Sequence, residues 1–229
     1  MQPIFVTGIG TGIGKTFVSA IVAEALEADY WKPVQAGFDP STDSERIRDW
    51  VTNPHTMIHP ELYKLKLAAS PHISARDENL RIDLNIIRDR CEEIVESRSI
   101  GQKEKSKQDK LEKRPLIVEG AGGLLVPLNE DEFVLDLVKK LNARVILVSR
   151  NYLGSINHSL LTARICAIEN IPVVGWIFND QFMHYEEEIQ HWSGFPRIGS
   201  IPFLPDPGRN EVKNLAANLQ SALIQHLAM

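Results

Sequence analysis

Pro3-Ile4-Phe5-Val6-Thr7-Gly8-Ile9-Gly10-Thr11-Gly12-Ile13-Gly14-Lys15-Thr16-Phe17-Val18 carries a short apolar run into a glycine-rich turn and out into an apolar-periodic stretch. The pattern predicts a strand, a tight loop and a helix. Glycines let the backbone curl until several N–H groups point inward, and the following helix adds partial positive charge at its N-terminus. Lys15 can then reach outer phosphates and the Thr16 hydroxyl can ligate magnesium, so the natural ligand is a nucleoside triphosphate. Five residues, not the usual four, separate Gly8 from Gly14, and Ile9 stands where the first glycine of the standard pattern falls.

Downstream, Val18, Ile21, Val22, Ala25 and Leu26 recur at helical spacing, and Tyr30-Trp31-Lys32-Pro33-Val34 reads as a second strand with a sharp ending. Leu84, Ile87, Cys91, Ile94 and Val95 mark another amphipathic helix that leads into a Lys-rich stretch, 103–113, read as a solvated face. Further strands are expected at Leu116-Ile117-Val118, at 145–148 and at 173–178. These are nearly continuous apolar runs, as in a parallel sheet covered on both faces. Helices are expected over 133–141 and 155–168 and around Val212, Leu215, Leu219 and Leu223. Alternation of this kind predicts an α/β fold like that of the P-loop NTPases: one domain over residues 1–229, with a mostly parallel central sheet and helices on both faces.

A formal net charge of −5 speaks against nucleic acid or a membrane surface as a partner and leaves small molecules. Cys91 and Cys166 are the two cysteines; each falls on the apolar side of a helical pattern and reads as a core thiol in a reducing compartment. The sequence enters a strand at once, without a basic segment followed by a long apolar run, so neither a signal peptide nor a membrane anchor is expected and the default setting is cytoplasmic.

In open parallel sheets ligands bind beyond the carboxyl ends of the strands, which draws attention to the polar residues there. Glu119 ends a strand and leads into Gly120-Ala121-Gly122-Gly123; it is a magnesium-facing carboxylate or a helix-capping or solvated loop acid. Lys32 is a second cation for the phosphates or a surface lysine. Asp43 faces the metal or caps the next helix, with capping favoured by the letters alone. Ser155 and Asn157 open a helix where a substrate carboxylate would be welcome, and they serve equally as ordinary caps. Asn179-Asp180 offers an amide for a purine edge or simply a turn.

Gly8 to Thr16, Lys32-Pro33-Val34, Ser70-Pro71-His72, Val118 to Gly123, Gly154 to His158, Gly175-Trp176 with Asn179-Asp180, and Ile201-Pro202 together resemble the dethiobiotin synthetases in both order and spacing. The resemblance implies a carbon–nitrogen cyclo-ligase of biotin synthesis. Such an enzyme uses ATP and Mg2+ to insert carbon dioxide between the two amines of 7,8-diaminononanoate, through a carbamate and a carbamic-phosphoric anhydride. Carried onto matching positions, it implies Lys15, Lys32 and Thr11 as the groups acting on the phosphates and the carbamate. Thr16, Asp43 and Glu119 would face magnesium, and Ser155 and Asn157 the substrate carboxylate across a homodimer interface. Nucleotide contacts would come from Gly8, Gly12, Ile13, Gly14, Phe17, Gly120, Ala121, Gly122, Asn179, Asp180, Pro202, Phe203 and Leu204. Three positions depart from the family: Gly10 and Gly12 stand where acids are frequent, and Ala36 where a hydroxyl is seen. The competing reading is a dimeric P-loop switch ATPase of the partitioning type, which usually carries an additional lysine early in the loop; only glycine, isoleucine and threonine stand there.

Overall fold

The computed structural model describes residues 2–38, 40–100, 114–180 and 182–228, and the Lys-rich stretch 103–113 lies outside them. Strand β1 (Ile4–Gly8) runs through the glycine turn into helix α1 (Lys15–Leu26). Then follow β2 (Asp29–Trp31), β3 (Val34–Ala36), α2 (Asp43–Trp50), β4 (Ile58–His59), β5 (Tyr63–Leu65), α3 (Pro71–Asp77) and α4 (Leu84–Ile100). The second half runs β6 (Leu116–Glu119), α5 (Val134–Lys140), β7 (Arg144–Arg150), α6 (Ser155–Ile168), β8 (Val173–Asn179), α7 (Glu186–Ser193), β9 (Arg197–Ile201) and α8 (Arg209–Ala228).

Seven strands form one parallel sheet in the order β4-β2-β6-β1-β7-β8-β9. The expected mostly parallel sheet is therefore present, and strand alternation explains why its members read as continuous apolar runs. Phe5, Val145 and Leu147 pack into one core with residues of α3 to α7, while Ile4, Val6, Ile146 and Val148 pack into the other with α1, α2 and α8. With both faces covered, neither set of alternate positions can be polar. Cys91 and Cys166 are free and buried, and burial pushes their thiols up to about 11 and about 12.

The structure adds β4, β5, α3 and α7, which the sequence did not suggest, and differs from expectation at two further places. The run Tyr30 to Val34 is not one strand, because the chain leaves the main sheet after Trp31 and re-forms as β3 beside β5 in a separate two-stranded parallel sheet. Pro33 cannot donate to a ladder, and its carbonyl instead receives the N–H groups of Leu62 and Tyr63 at 3.0 and 2.9 Å. The edge strand β9 was not anticipated. Its Arg197-Ile198-Gly199-Ser200-Ile201 lacks an apolar run, and only Ile198 and Ile201 are buried.

β1 lies between β6 and β7; the chain leaves β1 through α1 toward β2 on one side, while after β6 it crosses to β7 on the other, so successive connections run toward opposite edges of the sheet. A crevice at such a switch point opens above the carboxyl ends of the strands, which is where the glycine turn sits. No helix among the described residues is long and apolar enough to cross a membrane.

Candidate active site

The glycine turn closes by direct contact with its neighbours. Gly14 has φ +91° and precedes the first residue of α1; a Cβ there would sit 1.9 Å from the side-chain nitrogen of Asn179. Gly8 is equally tight, its missing Cβ being 2.5 Å from the carbonyl of Val148 on β7. Asn179, at the end of β8, donates its side-chain N–H to the carbonyl of Ile13 at 3.1 Å and so ties the turn to the sheet. Beyond β6, Gly120 N–H donates to Val6 at 3.0 Å, and Gly123 packs against the carbonyl of Gly8. The segment Gly120-Ala121-Gly122 thus runs alongside the turn, with Gly122 near the exposed Thr11.

Lys15 is 7% exposed and donates to the carbonyl of Gly10 at 2.7 Å. Burial, with the nearby charge of Lys32 adding to it, lowers its ammonium to about 8 despite the opposing pull of Glu119. One residue on, Thr16 Oγ1 donates to Glu119 Oε1 at 3.0 Å. Lys32 Nζ reaches that same oxygen at 3.0 Å and also bonds Asp43 Oδ2. Burial alone would lower Lys32, but the carboxylates of Glu119 and Asp43 outweigh it and hold the ammonium above its ordinary value. Asp43 shows the converse: burial opposes its charge, yet Lys32 and, to a lesser degree, Thr16 keep its carboxyl below the usual range.

Three open alternatives from the sequence close here. Glu119 is 1% exposed with partners on both oxygens, so it is not a solvated loop acid. Lys32 is 5% exposed and is not a surface lysine. The capping role favoured for Asp43 belongs instead to Thr42, whose hydroxyl accepts from Glu45 N–H at 3.1 Å while Glu45 returns a bond to Thr42 N–H. With the cap supplied one residue earlier, Asp43 is left to turn toward Lys32.

The other expected residues lie around this cluster rather than in it. Phe17 turns its ring into the core, edge-on to Trp50 at 5.6 Å, which leaves only its backbone for a nucleotide. Asp180 has φ +69° and pairs with Arg150 at 3.5 Å. Pro202 and Phe203 are exposed, and Leu204 packs against the α1 side. Ser155 is fully buried, its oxygen 3.3 Å from both the Tyr152 N–H and the Tyr185 hydroxyl, whereas Asn157 points to solvent. A cleft of about 560 Å3 separates the head of α6 from the glycine turn, lined by Gly10, Thr11, Gly12, Arg150, Tyr152 and His158.

Sequence reasoning missed Tyr30, Arg150, Tyr152 and Tyr185. Tyr30 is fully buried on β2 and donates its hydroxyl to Glu119 Oε2 at 3.0 Å; burial first, and then the charge of Glu119, raise the phenol well above its ordinary value. Nothing in the local pattern separates it from a core aromatic. Arg150 does have a signal, being the charged residue that ends an apolar strand at the crevice.

Among the described residues no three His, Cys, Asp or Glu side chains form a metal cluster. Thr16, Asp43 and Glu119 instead offer a hydroxyl and two carboxylates, hard oxygen donors, with both carboxylates bonded to one ammonium and the hydroxyl to Glu119. That set fits magnesium, which is commonly held by one or two carboxylates with phosphate oxygens and water completing its shell.

A glycine turn between the central strand and its helix, a buried lysine in that turn and acids beyond the neighbouring strand define a P-loop nucleotide-binding protein. Accordingly, the family described as AAA domain matches residues 2–211. The chain is 48% identical over 179 residues to the ATP-dependent dethiobiotin synthetase of Cytophaga hutchinsonii, covering 78% of this chain and 77% of the relative. It is 38% identical over 222 residues to that of Christiangramia forsetii, covering 96% and 97%. The chain belongs to the ATP-dependent dethiobiotin synthetase family. A ParA family ATPase from Chlorobium tepidum shares the fold, with a TM-score of 0.55 at 13% identity over 98% of this chain and 93% of the other.

Proposed function

We propose that this chain is an ATP-dependent dethiobiotin synthetase, working as one catalytic domain over residues 1–229 in the cytoplasm and as a homodimer. It inserts carbon dioxide between the amines of 7,8-diaminononanoate. One amine, as its carbamate, attacks the γ-phosphorus of ATP and ADP leaves; the second amine then attacks the carbonyl carbon, the ureido ring closes, and phosphate departs as the amine loses its proton. The observation that carries this reading is the meeting of Thr16 and Lys32 on a single oxygen of Glu119, each at 3.0 Å, beside Asp43 and the turn that bears Lys15.

Phosphoryl transfer asks little covalent chemistry of a protein and much positioning and charge stabilisation. Lys15 and Lys32 offset the charge shared between the carbamate and the γ-phosphate, and Thr11 with the turn's N–H groups, from Gly8 through Gly14, holds phosphate oxygens. Thr16, Asp43 and Glu119 hold magnesium, which when bound neutralises phosphate charge. Asn179, Asp180 and the Pro202 to Leu204 segment flank the adenine, and Ser155 and Asn157 receive the diamine's carboxylate from across the dimer interface. Similarity to the ParA family ATPase supports the fold and not a switch function, given its 13% identity.

The test is ADP release measured with magnesium, bicarbonate and the diamine supplied together and then each withheld, with the product identified by mass. Release that needs all three, and a ring-closed product, is expected. Turnover independent of the diamine would favour the switch ATPase.

A further inference from the structure

Tyr30 is the middle residue of β2, paired with β4 on one side and β6 on the other, and is fully buried. In the register of β2 and β6 it stands opposite Ile117. Strand alternation then puts Glu119, two residues beyond Ile117, on the same face of the sheet as Tyr30. The phenol spans that offset and donates to Glu119 Oε2 at 3.0 Å, while its ring belongs to the same core as Ile4, Val6, Ile21 and Ile117.

The two oxygens of Glu119 are thereby given different surroundings. Oε1 accepts from Thr16 and Lys32, each at 3.0 Å, on the side of the glycine turn; among the described residues the Tyr30 hydroxyl is the donor to Oε2. Without that donor the carboxylate is free to rotate about its last bond and to present both oxygens to the turn. Glu119 is 1% exposed, so bulk water is not at hand to replace the phenol. The distinction matters to a divalent cation. Mg2+ demands near-octahedral geometry and keeps several waters, whereas the larger Ca2+ takes more oxygens in looser geometry and often grips a carboxylate by both.

We propose that Tyr30 is a positioning residue that sets the choice of metal. With Oε2 held by the phenol, Glu119 offers a single oxygen beside Thr16 and Asp43, an arrangement that serves Mg2+ and denies Ca2+ a two-oxygen grip. Tyr30 is fully buried and acts through Glu119. The inference rests on the proposed use of magnesium with ATP and adds to it the residue that selects the ion.

The test compares wild type with Tyr30→Phe, which keeps the ring and removes one oxygen. ADP is titrated calorimetrically into each protein in saturating Mg2+, in saturating Ca2+ and in chelator without metal. Wild type should bind ADP at least about tenfold more tightly in Mg2+ than in Ca2+, and in Tyr30→Phe that ratio should fall to about threefold or less. In chelator the two proteins should bind ADP alike. A Mg2+-to-Ca2+ ratio unchanged by the substitution would overturn the proposal, as would equal binding in the two ions by wild type. A lowered melting point beside an unchanged ratio would assign the phenol to stability alone. Tyr30→Met, an unbranched side chain without a donor, gives the same comparison if the phenylalanine variant does not fold. Failure of the magnesium reading is separate: it shows as wild type binding ADP no more tightly in Mg2+ than in chelator, and it would remove the inference with it.

Discussion

Lys32 Nζ stands 3.0 Å from Glu119 Oε1, and both side chains are withdrawn from solvent, one immediately beyond β2 and the other at the end of the adjacent β6. Because Lys32 also binds Asp43, the two residues are not equivalent within the cluster. Removing the lysine leaves two carboxylates facing each other, while removing the charge of Glu119 leaves Lys32 with Asp43.

Lys32→Met should therefore cost about 3–5 kcal/mol, the range for an uncompensated buried charge, and Glu119→Gln clearly less. Combining them should recover part of the loss. Urea unfolding of the three variants measures this, and equal losses from the two single changes would contradict the shared-lysine arrangement. Neither single variant should turn over at more than about one hundredth of the wild-type rate.

For Lys15→Gln the stability outcome is the opposite. The ammonium is buried against a carbonyl, and burial is the largest influence on it, so its removal should leave the nucleotide-free melting point unchanged or higher at pH 7. ADP release should fall at least about a hundredfold, because the charge acts on the transferring phosphate. Retained activity would take Lys15 out of the mechanism.

Gly10 and Gly12 both depart from the acids frequent in the family, and the structure separates them. A Cβ on either meets nothing within 4 Å, but Gly12 has φ +72° whereas Gly10 does not lie in the left-handed region. Gly10→Asp should change stability by no more than about 0.5 kcal/mol, while Gly12→Asp should cost about 1 kcal/mol from backbone strain. Thermal unfolding of the two variants side by side decides it; equal melting points would mean the turn relaxes.

Glu24 on α1 joins that helix to the segment after α2, accepting from Thr52 N–H at 2.8 Å, Asn53 N–H at 3.0 Å and the Thr52 hydroxyl at 2.5 Å. Burial opposes its charge, but these bonds from Thr52 and Asn53 outweigh it and hold the carboxyl below its ordinary value of 4.5. A folded value below the unfolded one means that the stabilisation is complete above the unfolded value and disappears as pH falls through the folded one. Glu24→Gln should lower the melting point by about 2–4 °C at pH 7, and the gap to wild type should close progressively below pH 4.5. A gap independent of pH would assign the effect to lost packing.

The glycine turn, its lysine and the apolar runs could be read directly because they depend on neighbours in sequence: curvature of the backbone, helical spacing, and strands whose two faces are both covered. Read residue by residue, Lys32, Asp43 and Glu119 were separate candidates, since each letter has a commoner local use, and only the family resemblance put them at one site. Asp43 shows why. Its candidate role turned on whether it or Thr42 capped α2, and the extended backbone at Thr42, with its bonds to Glu45, put the cap one residue earlier.

What the chain's letters determined was the phosphate-binding turn and the parallel α/β arrangement, both products of short-range stereochemistry and apolar periodicity. Only the tertiary structure decided that Tyr30, Lys32 and Thr16 meet on Glu119, residues as far apart as 103 positions in the chain. Strand register brings β2, β6 and β1 side by side, and a buried carboxylate then needs every nearby donor to offset its lost hydration.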